Sequence, residues 1–241
     1  VHFLILFLLI ISCNKDGNTI KNNISDEIIS NQLSDSINHW LNKKNSSSTS
    51  MFKEKIDKAY SKIKYRKNDS LVRKYVQSIS YKYLQNGNFK EFRNSTDYLI
   101  LLSNQSKDSN RLANAYWNLA YYYRKESRID SSYYSYLKAQ EIFKLINNRK
   151  NQGIIWNNIA NIQKKAKDYK ASEISSINAL ELLKNNKETD IYIYDCYNNL
   201  GSVSNSMKKH DDALVYYNKA LKYQKLIPKK NTYNLSVLNN I

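Results

Sequence analysis

The sequence predicts an all-α chain built as an array of helix pairs, on three observations. Chemically matched positions recur every 40 to 41 residues. Between recurrences, apolar and small residues return at three and four, the helical period. Gly and Pro number four and one in 241 residues, too few for the turns of a many-stranded β fold. Repetition at a fixed period is the mark of a solenoid, in which each unit buries its apolar face against the next.

The period can be measured from two starting points. From Ala220 the matching positions are Ala179, Ala139, Leu99 and Ala59, at steps of 41, 40, 40 and 40. From Leu200 they are Ile159, Leu119 and Ile79, at 41, 40 and 40. A small residue follows each of the second set: Gly201, Ala160, Ala120 and Ser80. Three residues before each stands Tyr197, Trp156, Tyr116 or Val76.

The first element is an apolar run, VHFLILFLLIISC, shorter than the roughly 20 residues that span a bilayer. It has the length of a signal-peptide core, although no Lys or Arg precedes it. Ile10, Ile11, Ser12 and Cys13 resemble a bacterial lipobox. That resemblance implies removal of residues 1–12 and lipid attachment at Cys13, with stable anchoring by two or more acyl chains. Residues 13–31 are polar with scattered Ile and read as the tether of that anchor.

From residue 32 to 241 the helix pairs follow in order. Helix A of one unit is about CYNNLGSVSNSM and helix B about DDALVYYNKALKYQKL. Polar stretches separate them. Within units these are 45–50, 86–88 and 208–210; between units they are 66–70, 104–110, 147–153, 185–190 and 228–232, the last opened by Pro228. Asp211 and Asp212 stand where helix B begins and favour its positive end. Cys196 falls within an apolar helical pattern and reads as a small packing residue.

Tyr197-x2-Leu200-Gly201 followed by Ala213-x3-Tyr217 and Ala220 resembles the tetratricopeptide repeat. YWNLA at 116–120 with Tyr136 and Ala139, and WNNIA at 156–160 with Ala179, resemble it too. The resemblance implies a right-handed superhelical solenoid of helix-turn-helix pairs. It gives about five repeats plus the start of a sixth. The first two are degenerate, with Phe52 and Phe92 at a usually small position, and the third carries Ser132 there. The period exceeds the family's commonest 34. Ile241 aligns with Leu200, so the array is expected to continue beyond the last residue.

The resemblance also implies a concave groove lined by helix A, binding a protein or peptide. Carried over position by position, its centre is Trp117, Tyr121, Arg124, Lys125, Asn157, Asn161, Lys164 and Asn198. Lys74, Gln77, Tyr81, Gln85 and Asn114 lie before that centre, and Lys165, Asp195 and Asn205 beside or after it. Trp117 is expected to be exposed there, because Tyr116 takes the packing position. Amides suit a peptide backbone and cations suit carboxylates, so an extended peptide segment, acidic or containing aromatic residues, is the expected ligand. Asn118, Asn158 and Asn199 form a second ladder, open to either a ligand or a packing role.

Other classes find little support. No phosphate-binding Gly-rich loop, nucleophile elbow or HExxH occurs, so no enzyme is expected in this chain and no cofactor. Three His and two Cys are too scattered for a metal site. The net charge of +17 admits an anionic partner, but no run of five Lys or Arg occurs. The plainer reading is a solvated basic surface without nucleic acid. Two functions fit. One is a lipid-anchored interaction scaffold in the cell envelope, with its repeats outside the cytoplasm. The other is the sensory part of a membrane signalling protein whose output domain, a histidine kinase or transcriptional regulator, would follow Ile241.

Overall fold

The structure, a computed structural model, describes residue 35 and residues 49–64, 66–184 and 187–227. Residues 1–31 with Cys13, most of the opening of the first repeat, and the expected start of a sixth lie outside them. The described residues form nine α-helices and no strand. In chain order these are α1 (Thr49–Ile63), α2 (Ser70–Gln85), α3 (Phe89–Gln105), α4 (Ser109–Lys125), α5 (Ile129–Leu145), α6 (Arg149–Lys165), α7 (Tyr169–Leu183), α8 (Asp190–Ser206) and α9 (His210–Gln224). The chain divides into two compact units between Phe92 and Arg93, within α3.

In the first unit α1 packs on α2. Ile56, Ala59, Ile63, Val76 and Ile79 are fully buried between them. Tyr83 donates its hydroxyl to Asp57 Oδ1 at 2.7 Å. Burial, and then the Asp57 carboxylate, push that hydroxyl far above its ordinary titration range. Lys53 pairs with Asp57 at 2.8 Å and Glu91 at 3.0 Å.

In the second unit α4 pairs with α5, α6 with α7, and α8 with α9; α5 also packs on α6, α7 on α8, and α6 on α8. The recurring residues are the core. Leu99, Ala139, Ala179 and Ala220 are buried, as are Leu119, Ile159, Leu200, Ala120, Ala160 and Gly201. Ser132, where the repeat usually has Ala, is buried and donates to the Ala120 carbonyl at 2.8 Å. Ser172, one repeat later, does the same to Ala160 at 2.8 Å. Each hydroxyl is satisfied by a carbonyl of the partner helix, so its burial carries no unpaired group.

The connections are more regular than the sequence suggests. Residues with left-handed backbone stand at Gly87, Lys107, Ser127, Asn147, Lys167 and Lys208, that is, every 20 residues until the last step. At each, the amide of the following residue reaches back five positions, as in Asp108 to Ser103 (2.9 Å) and Asp168 to Gln163 (2.9 Å). This is the Schellman closure. Links within and between repeats are therefore the same three residues. Residues 109–110 and 149–153, read from sequence as connector, belong to helices. Asp108 and Asn148 cap the third amide of their helices and start them early. The exception lies between Leu183 and Asp190. It contains a short 3-10 turn, Lys187–Thr189, and supplies the residue that lengthens one step of the period from 40 to 41.

Candidate functional site

The face expected to bind lies in the second unit, on α4, α6 and α8. Its residues come in register: Trp117, Asn157 and Asn198; Tyr121 and Asn161; Arg124, Lys164 and Asn205. Spacings of three, four and seven put each set on one side of its helix.

On α4 the Tyr121 ring sits beneath two cations, with the Arg124 guanidinium 5.2 Å and the Lys125 ammonium 5.7 Å from its centroid. Arg124 Nε is buried without a hydrogen-bond partner. Behind them Tyr136 of α5 is buried. Burial pushes its hydroxyl up to about 12, against the opposing pull of the Arg124 charge.

Trp117 corrects the sequence reading. It is half-buried, not exposed. Its indole meets Phe143 edge-on, with centroids 6.2 Å apart. It touches both the core around Phe143 and Ile159 and the core around Ile154 and Leu183. The side chain closes the seam between successive helix pairs, which a single helix's pattern cannot reveal.

On α6 Asn157 is 5% exposed and its Oδ1 has no hydrogen-bond partner. Asn161 donates to the Asn157 carbonyl at 3.1 Å. Lys164 is half-buried. Burial and then the like charge of Lys165 pull its ammonium below the ordinary lysine value, while Asp195 acts the other way. On α8 Asp195 is half-buried as well, and burial pushes its carboxyl up to about 7 against the attraction of Lys164. Asn198 is half-buried, and Asn205 pairs with His210 at 3.0 Å. Lys125 and Lys165 are exposed at the edge. In the first unit, described by itself, Lys74, Tyr81 and Gln85 are exposed and Gln77 is partly so.

The asparagine ladder is resolved at one rung. Asn199 is buried and its Nδ2 donates to Ser176 Oγ (2.8 Å) and Ser172 Oγ (3.2 Å) of α7. It ties one repeat to the next. The signal available in sequence was Ser172 and Ser176, one turn apart on the preceding helix. Asn118 and Asn158 are half-buried. Cys196 is buried and its thiol is pushed well up by burial, as befits a packing residue. Among the described residues no group of His, Cys, Asp and Glu could hold a metal ion, and no helix is long and apolar enough to cross a membrane.

Known structures match this architecture. BtubC from P. vanneervenii superposes with a TM-score of 0.65 at 16% identity, over 73% of this chain and 73% of that one. The apo form of RapI gives 0.71 at 16% identity, over 80% and 70%. A Podosopora anserina protein described as a kinesin light chain with nearly identical TPR-like repeats gives 0.65 at 8% identity, over 81% and 95%. The fold is that of tetratricopeptide-like repeats. No family model matches the chain, and no curated protein matches it. At these identities the likeness concerns the fold alone.

Proposed function

We propose that the chain is an interaction scaffold whose α4–α6–α8 face binds an extended, acidic peptide segment of a protein partner. One observation carries the reading. Polar groups stand in register on α4, α6 and α8: Asn157 with Asn198, Tyr121 with Asn161, and Arg124 with Lys164 and Asn205. Amide groups on that face suit the backbone of an extended segment. The cations Arg124, Lys125, Lys164 and Lys165 favour carboxylates among such ligands. Lipid attachment at Cys13 belongs to the same proposal and rests on the Ile10-Ile11-Ser12-Cys13 resemblance, which would hold the scaffold at a membrane of the cell envelope.

The test of the face is a pull-down partner titrated against variants. Arg124→Glu and Lys164→Glu should each weaken binding by at least about 1 kcal/mol. Trp117→Ala is a poor probe, because it also opens the core. Affinity unchanged in both charge variants, together with loss on mutating the outward side of α5 or α7, would place the site elsewhere. For the anchor, Cys13→Ser should release the protein from membranes. Equal partitioning of mutant and wild type would refute it.

A further inference from the structure

Tyr123, near the end of α4, is flanked by two arginines. Arg93, on the part of α3 that belongs to the second unit, donates from Nη1 to the Tyr123 hydroxyl, and its guanidinium carbon lies 5.3 Å from the ring centroid. The Arg128 guanidinium carbon lies 4.7 Å from the same centroid, so the two charges are no farther apart than the sum of those distances. Arg93 has one carboxylate partner, Asp97, at 2.7 Å from its Nε. Arg128 has none among the described residues. Its hydrogen bond is to Ser131 Oγ at 3.4 Å, longer than the usual range. Glu126 and Asp130, its acidic neighbours in sequence, are exposed and do not pair with it.

Arg128 also breaks a pattern. Asp108, Asn148 and Asp168 hold the same place in their turns, and each caps the following helix with its side chain. Arg128 stands at that place before α5 and makes no such bond. Its side chain lies against Tyr123 instead. A guanidinium stacked on a ring is weakly hydrated and already positioned, so it loses little on binding an anion. Tyr121, whose ring carries Arg124 and Lys125 on the proposed peptide face, is two residues from Tyr123, and positions two apart on a helix do not share a face. The cluster of Arg93, Tyr123 and Arg128 is therefore separate from that face.

The two cations reach the ring from different elements, Arg93 from α3 and Arg128 from the turn after α4. A planar carboxylate presents both oxygens to one guanidinium, whereas a phosphoryl group has oxygens in three directions and can bridge two. One carboxylate serves two guanidiniums here, and a phosphate dianion supplies the missing charge. We propose that Arg93 and Arg128 form a phosphate-binding site, in which one phosphoryl group accepts hydrogen bonds from both guanidiniums beside the Tyr123 ring. The ring sets the spacing of the arginines, and its hydroxyl holds Arg93. Asp97 and Tyr123 occupy Nε and Nη1 of Arg93, which leaves Nη2 for the ligand. Free phosphate and a phosphorylated side chain offer the same group. The inference goes beyond the peptide face and does not depend on it.

The probes are inorganic phosphate and an acetylated, amidated Gly-Gly-phosphoserine-Gly-Gly peptide. Each is titrated calorimetrically into the full chain at about 0.1 M ionic strength, which screens the diffuse attraction of a chain with net charge +17. Arg128→Asn is the decisive variant. It removes the cation and installs a residue type that caps helices in the other turns. Its urea midpoint should equal or exceed that of the wild type while affinity falls about tenfold or more. Arg93→Gln should lower affinity to a similar extent. Lys219→Gln removes one charge from α9 and should leave affinity within about twofold. That pattern with both probes supports the site and assigns it to free phosphate as well as to phosphorylated side chains. The same pattern with the peptide alone supports it and assigns it to a phosphorylated partner. Absence of binding by either probe at about 10 mM overturns the inference. An affinity that Arg128→Asn leaves unchanged, or that Lys219→Gln lowers as much, overturns it too, because the attraction is then that of the general charge. None of these results bears on the peptide face, whose test turns on Arg124 and Lys164.

Discussion

A Cβ added at Gly201 would lie 2.6 Å from Tyr217 Cε1, 2.7 Å from Cδ1 and 3.0 Å from Cγ. Three atoms of one rigid ring block the position, so a larger residue on α8 must displace a side chain of α9. Within a helix, Gly→Ala ordinarily gains about 1 kcal/mol in propensity. Here overpacking costs about 1–3 kcal/mol and is expected to win. Gly201→Ala should lower the urea midpoint with an unchanged slope. A midpoint at or above wild type would show that the ring moves freely and that the Gly is not required by packing. This position was legible in sequence because its small residue recurs. Gly153 was not; it was read as connector. It lies within α6, where a Cβ would stand 2.6 Å from Leu183 Cγ in a neighbouring helix. The candidate site shows the same limit. The helical register placed Arg124, Asn157, Asn161 and Lys164 on one face. The burial of Trp117 depends on Phe143, and the raised carboxyl of Asp195 on its burial against neighbouring helices, contacts that no local pattern encodes.

Helix ends carry the second level of control. Asp69, Asp108, Asn148 and Asp168 each accept the amide three residues on, at 2.7 to 3.2 Å. Before three of them stands a left-handed residue, Lys107, Asn147 or Lys167. The left-handed conformation disfavours an ordinary side chain, while Gly adopts it freely. Asp168→Ala should therefore cost about 1 kcal/mol through the lost cap. Lys167→Gly should gain up to about 1 kcal/mol, since the relief of backbone crowding exceeds the added freedom of the unfolded chain. Both are read from urea midpoints. A loss in Lys167→Gly would mean that its side chain contributes more than its backbone costs. These turns explain what the sequence hid. The helical segments announced themselves through apolar spacing, but three of the six left-handed residues are Lys, which gives no turn signal. The 20-residue half-period was thus blurred at Lys107, Lys167 and Lys208, although the 40-residue period was plain. The extra residue at 184–189 appeared only as a step of 41.

Charge acts on the molecule as a whole. The chain carries 38 Lys and Arg against 21 Asp and Glu, a net +17. Among the described residues many ion pairs are local and well exposed, such as Lys58 with Glu54 at 2.8 Å and Arg93 with Asp97 at 2.7 Å. Pairs of that kind contribute about 0.2–1 kcal/mol each and weaken in salt. Repulsion among the excess cations opposes the compact state and is also screened by salt. The two effects have opposite signs, so their balance is measurable. Raising ionic strength from about 0.01 M to 0.1 M shortens the screening length from about 30 Å to 10 Å. Contact pairs at under 3 Å are little affected by that change, whereas repulsion over tens of ångströms is largely removed. The urea midpoint should therefore rise with salt. Over the same range, affinity for an acidic peptide should fall, because the attraction that brings it to Arg124, Lys125 and Lys164 is screened as well. A midpoint that falls with salt would mean that the ion pairs outweigh the excess charge. The basic surface would then contribute net stability to the array and could not be read as a surface held at a cost for an acidic partner.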